Sequence, residues 1–145
     1  MRLINILMTV AAILITVTTV YSQTEKEVKD IQDILVKILD ASEAEDYQAA
    51  SLMFVYEGDD AARNLKDFYN SSVSAEGNKV KRLAKKIKAF QKLSESYSVG
   101  TVSKSSKSGV EAFVVEVIFN SGKQSLKTEF TFLSVKNSFG LLEVK

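Results

Sequence analysis

The fold turns on residues 79–101, KVKRLAKKIKAFQKLSESYSVGT. Up to Lys92 the apolar residues Val80, Leu83, Ala84, Ile87 and Phe90 recur at helical spacing and share one side of a helical wheel. Seven bases, Lys79, Lys81, Arg82, Lys85, Lys86, Lys88 and Lys92, cover the other side, with no acid between 79 and 92. After Ser94 the period drops to two, and Tyr97, Val99 and Thr101 alternate with small residues. The chain thus changes from helix to strand over a few residues.

Downstream the alternation continues. Residues 110–119 are rich in Val, Phe and Ile and read as a strand with both faces largely buried. Asn120-Ser121-Gly122-Lys123 is a tight turn. Leu126, Thr128, Phe130 and Phe132 mark a third strand, Lys136-Asn137-Ser138 a second turn, and residues 139–144 a fourth strand. Such short links imply an antiparallel meander.

Upstream the pattern is helical. Thr24-Glu25-Lys26-Glu27 is a capping box, and Val28, Ile31, Leu35, Ile38 and Leu39 form one apolar face, which predicts a helix over about 25–42. A second helix is expected over 46–54, with Asp46 at its start. A third, capped by Asp59 or Asp60, is expected to run through Tyr69 with Leu65, Phe68 and Tyr69 inward, and a polar loop to cover 70–77. Helices first and strands afterwards imply an α+β domain, with N-terminal helices packed on a curled four-stranded antiparallel sheet.

Composition removes whole classes of chemistry. The 145 residues include no His, Cys, Trp or Pro. Ser-His-Asp and Cys-His nucleophile pairs, thiol redox chemistry, disulfides and imidazole or thiolate metal sites are therefore excluded. Carboxylate, Lys, Tyr and hydroxyl chemistry remain. We expect no metal and no cofactor. Glu57, Asp59 and Asp60 lack the spacing of a calcium loop and read as a solvated, helix-capping loop.

Residues 1–22, MRLINILMTVAAILITVTTVYS, place Arg2 before an apolar run from Ile6 to Val20, followed by Val20-Tyr21-Ser22. This is the pattern of a signal peptide cleaved before Gln23, and 23–145 then form one domain that is exported to the periplasm or secreted. The rival reading keeps residues 3–21 as an uncleaved membrane anchor. Lys plus Arg number 19 and Asp plus Glu 18; loss of Arg2 leaves 18 of each, a neutral mature chain. A neutral chain argues against nucleic acid as a partner.

Two stretches resemble the NTF2-like superfamily, the cystatin-like α+β domains that include ketosteroid isomerases and polyketide cyclases. One is Ile38-Leu39-Asp40-Ala41 running on to Glu45-Asp46-Tyr47-Gln48-Ala49-Ala50, similar to that group's opening of a long helix, an acidic-aromatic corner and an Ala-rich helix. The other is the hairpin 130–141, where Phe139 holds the place of an aromatic, often Trp, that opens the last strand. The resemblance implies a sheet curled around a cavity that helices close on one side, and a homodimer through the sheet. It also implies that an Asp or Glu with a Tyr could move a proton next to a carbonyl, since His is absent. No catalytic residue is assigned from it.

Four residues are candidates for the cavity lining: Tyr47, Tyr56, Glu116 and Glu129. The competing reading makes Tyr47 and Tyr56 packed aromatics and places Glu116 and Glu129 on a sheet face open to water, across from Lys127 or Lys123. The basic helix offers Lys81, Lys85, Lys88 and Lys92 to anionic lipid headgroups, a polyanionic glycan or an acidic protein. Against that, residues 23–47 hold eight acids and three bases, an acidic helix that could lie beside the stripe and cancel it, so weak or no binding is expected.

The functional expectation is a small exported, non-catalytic binding or accessory domain with a cavity for a small apolar or amphipathic ligand. The alternatives are a cofactor-free isomerase- or cyclase-like enzyme using Asp or Glu with Tyr, and a surface interaction protein acting through helix 79–92. The membrane is a partner only if residues 3–21 stay uncleaved.

Overall fold

A computed structural model describes residues 25–145; the expected signal peptide lies outside them. Packing divides the chain into residues 1–30 and 31–145. Residues 25–30 of the first unit are helical. In the second unit, α1 covers helical residues 31–43, followed by α2 (Tyr47–Ser51), α3 (Ser74–Lys92), β1 (Ser96–Lys107), β2 (Val110–Ser121), β3 (Gln124–Val135) and β4 (Ser138–Val144). The strands pair antiparallel in the order β1-β2-β3-β4. The domain is α+β, helices first and a curled four-stranded sheet after them.

Turn chemistry sets the meander. Ser108-Gly109 and Lys136-Asn137 both place two successive residues at positive φ, the mirror-image turn whose twist suits a two-residue hairpin. Register shifts between Val99 and Val102 and between Thr131 and Phe132 bend β1 and β3 and add to the curl.

One face of the sheet carries the main core. Phe113, Val115, Val117 and Phe119 of β2 and Phe130 and Phe132 of β3 pack with Ile31, Leu35, Ile38 and Leu39 of α1 and with Val80, Ala84 and Ile87 of α3. Phe54, Phe130 and Phe132 are fully buried, each contributing about 1.5–3 kcal/mol of hydrophobic stabilisation. The other face of β2 is only half covered at Val114, Glu116 and Ile118, so the expectation of a strand buried on both sides is corrected. A smaller cluster of Val55, Ala112, Leu133 and Val135, with Leu65, Phe68 and Leu142, covers one end of that face.

Residues 52–73 depart from the helical expectation. Phe54 bridges Leu141 in parallel and Val55 bridges Phe68, so the segment runs along the β4 edge instead of forming a helix. Gly140 makes this possible: a Cβ there would meet Phe68 Cε1 at 2.6 Å and Val55 Cγ2 at 2.8 Å. Residues 61–66 are turns, with Leu65 at φ 60°. α3 begins at Ser74, inside the expected polar loop, and Gly77 lies in its first turn because a Cβ there would press on the Ser71 carbonyl at 2.8 Å.

Candidate functional site

Where α1, α2 and the start of β4 meet, they leave an open groove of about 470 Å³. Ile34, Lys37 and Ala41 reach it from one face of α1 at positions i, i+3 and i+7, with Asp40 beside them. Ala49, Leu52 and Met53 supply the α2 wall, and Ser138 and Phe139 the β4 wall. α2 is aimed by its cap, in which the Ala49 amide donates to Asp46 Oδ1 at 2.9 Å. Phe139 is fixed edge-on against Phe113, with ring centres 5.3 Å apart. Leu52 is 67% exposed, an apolar side chain turned outward at the groove mouth. Apolar walls with one base and one acid among them suit a small amphipathic molecule.

A second apolar groove, about 400 Å³, lies at the C-terminal end of α3. Phe90, Leu93 and Phe119 line it with Leu126 and the β2–β3 turn. Phe90 stacks at a tilt on Phe119 at 5.7 Å, and Tyr97 packs on Phe119 at 6.1 Å.

Charge is concentrated in two further places. Arg63 donates to Glu76 through both terminal nitrogens (2.7 and 3.2 Å), to Asp67 through Nε (3.1 Å) and to the Phe68 carbonyl (2.9 Å), while its guanidinium lies 4.3 Å over the Tyr56 ring. Glu76 also accepts from the Asn70 amide at 2.7 Å, and Lys136 pairs with Asp67 at 2.6 Å. Lys136 and the Phe68 amide, with Arg63, hold the Asp67 carboxyl down to about 2 despite partial burial. Arg63 lowers Glu76 likewise, and Glu76 and Asp67 raise the guanidinium in return. Burial raises the Tyr69 hydroxyl, which donates to the Glu57 carbonyl at 3.3 Å. The displaced carboxyls of Asp67 and Glu76 are explained by partners that also tie the 54–76 segment to the β3–β4 turn and to α3.

The outer face of α3 is built differently. Lys79 donates to the Glu57 carbonyl and Lys86 to the Val144 carbonyl, at 2.8 and 2.6 Å. Lys88 pairs with Glu45 at 3.1 Å, and that contact lowers the Glu45 carboxyl, with Lys85 and Lys92 adding to the field. Lys81 Nζ stands 5.8 Å from the Tyr47 ring centre. Among the described residues no carboxylate lies within 4.0 Å of Lys81, Arg82, Lys85 or Lys92.

The four cavity candidates are not brought together. Tyr47 begins α2 and packs half-buried against the main core. Tyr56 is buried under Arg63, and its hydroxyl accepts from the Asp60 amide at 3.4 Å. Glu116 and Glu129 face each other across β2 and β3, on the side turned away from α1 and α3, and Lys127 lies 3.7 Å from Glu116. Of the basic set, Lys88 alone has a carboxylate partner among the described residues.

Sequence reasoning missed the groove and the Arg63 cluster. Ile34 sits off the centre of the α1 apolar stripe, and this was the one local signal for the groove. The i, i+4 spacing of Arg63 and Asp67 was the signal for the cluster. Among the described residues no group of three or more acids is placed to hold a metal ion, and no helix is long and apolar enough to cross a membrane. No family model, curated protein or solved structure matches the chain.

Proposed function

We propose that this chain is an exported, non-catalytic binding or accessory domain of NTF2-like type, and that its α1–α2–β4 groove takes a small amphipathic ligand. The groove carries the reading: Ile34, Leu52, Met53 and Phe139 offer apolar contact, while Lys37 and Asp40 offer polar contact to a head group. A proton-transfer enzyme needs an acid and a donor converging in a closed apolar pocket. No Tyr lines this groove, and Glu116 and Glu129 belong to the opposite side of the sheet.

Titration of the full chain with a medium-chain fatty acid, followed by thermal shift, tests the reading. The wild type gains stability as ligand is added, as any binder of the native state requires. Ala49→Trp fills the groove from its half-buried α2 position and abolishes the gain. Equal gains in the two proteins would remove the groove as the site.

A further inference from the structure

α3 turns an arc of about 120° to solvent, taking 3.6 residues per turn, and the arc carries Lys81, Arg82, Lys85 and Lys92 with Ala89 and Leu93 toward its C-terminal end. The acid of this helix, Glu76, is buried at the other end against Arg63. Within residues 31–47 the acidic region makes one ion pair with the stripe, Lys88–Glu45, and it comes from the turn that follows α1. Glu45 tempers Lys85 and Lys92 through space, but none of the four outer cations is paired with a carboxylate within 4.0 Å among the described residues. Beside them Leu93 is 75% exposed and Leu126 47% exposed, above the groove floored by Phe90 and Phe119.

We propose that the outer face of α3, with Leu93 and Leu126 at its end, docks the domain on a bilayer bearing anionic headgroups. The face shares no residue with the α1–α2–β4 groove. A soluble polyanion would engage the cations and leave two leucines in water. A bilayer engages both: phosphates meet the Lys and Arg heads, and the interfacial acyl boundary takes the leucines. Long Lys and Arg stems let the charged heads reach the headgroup level while the helix lies flat. The four cations, from Lys81 to Lys92, lie along a stretch of about 16 Å, set by 1.5 Å per residue, and so present their charge along one line that a planar surface can meet.

The test is co-sedimentation of the purified full chain with vesicles of phosphatidylcholine alone and of phosphatidylcholine mixed with phosphatidylglycerol. The apolar residues 6–20 partition into both compositions, so the ratio of the two affinities isolates the charged face. The ratio is expected to be large at low salt and to collapse at about 1 M salt, where the Debye length is about 3 Å. Replacing Lys81, Arg82, Lys85 and Lys92 by Gln is expected to cut the ratio by up to about 1,000-fold, while Lys81→Arg, Lys85→Arg and Lys92→Arg together preserve it. Leu93→Ser with Leu126→Ser weakens vesicle binding and leaves binding to dextran sulfate unchanged. A ratio near one for the wild type at low salt overturns the proposal, as does a ratio unchanged in the Gln variant. Vesicle binding indifferent to the leucine pair, with dextran sulfate bound as tightly, overturns it in favour of a soluble polyanion.

Discussion

The Arg63 cluster and the outer face of α3 are both dense in charge, yet one is closed and the other open. Around Arg63 each charged group has its opposite within hydrogen-bond distance, and Glu76 keeps a side-chain exposure of only 11%. On α3 the outer cations stand in water with no carboxylate beside them among the described residues. The difference separates charge that holds the chain to itself from charge left over for something else. Removing a partner from a closed set leaves an unpaired buried ion, which is costly; removing one from an open set changes little.

Breaking the closed set should give the largest effect. Arg63→Ala leaves Glu76 without its bidentate partner and is expected to lower the denaturant midpoint more than any other substitution named here. A loss below about 0.5 kcal/mol would place the cluster with ordinary surface pairs.

Phe90→Ala comes next, at about 2–3 kcal/mol, the lower part of the range for aromatic truncation because Phe90 is only half-buried at the end of α3. It sharpens the contrast within one helix, since Lys85→Ala on the outer face should stay within about 0.5 kcal/mol. Equal melting temperatures for these two proteins would show that the helix faces are assigned wrongly.

Acid separates the two regions by a smaller margin. Asp67 is held near 2 by Lys136, Phe68 and Arg63, and Glu76 is lowered by Arg63. Folded carboxyls below their unfolded values stabilise the protein above the unfolded value, about 4, and that contribution is lost as pH falls toward about 2. The wild type should therefore lose stability through that window, and Arg63→Ala should lose less. Parallel acid profiles for the two proteins would contradict the assignment.

The same contrast explains what the sequence could reveal. α3 and the strands were legible because their periods are local: Val80, Ala84 and Ile87 repeat at helical spacing, and Phe130 and Phe132 at two. Residues 52–73 were not, because Phe54 and Val55 are set by distant Leu141 and Phe68, and Leu65 adopts a positive φ that no spacing announces. The expected polar loop ends at Gly77, whereas Gly77 lies inside α3 and is what lets the helix start close to Ser71. The candidate groove was hidden for the same reason. It joins Ile34, Leu52 and Phe139, which lie on three elements and form no motif along the chain.

The central claim is that the α1–α2–β4 groove is the ligand site, and methyl NMR of the labelled chain during titration with a medium-chain fatty acid addresses it directly. Saturable shifts are expected at Ile34, Leu52 and Met53, with Leu93 and Leu126 unmoved at concentrations below micelle formation. Shifts confined to Leu93 and Leu126, or none at Ile34, Leu52 and Met53 up to saturation, would contradict the account.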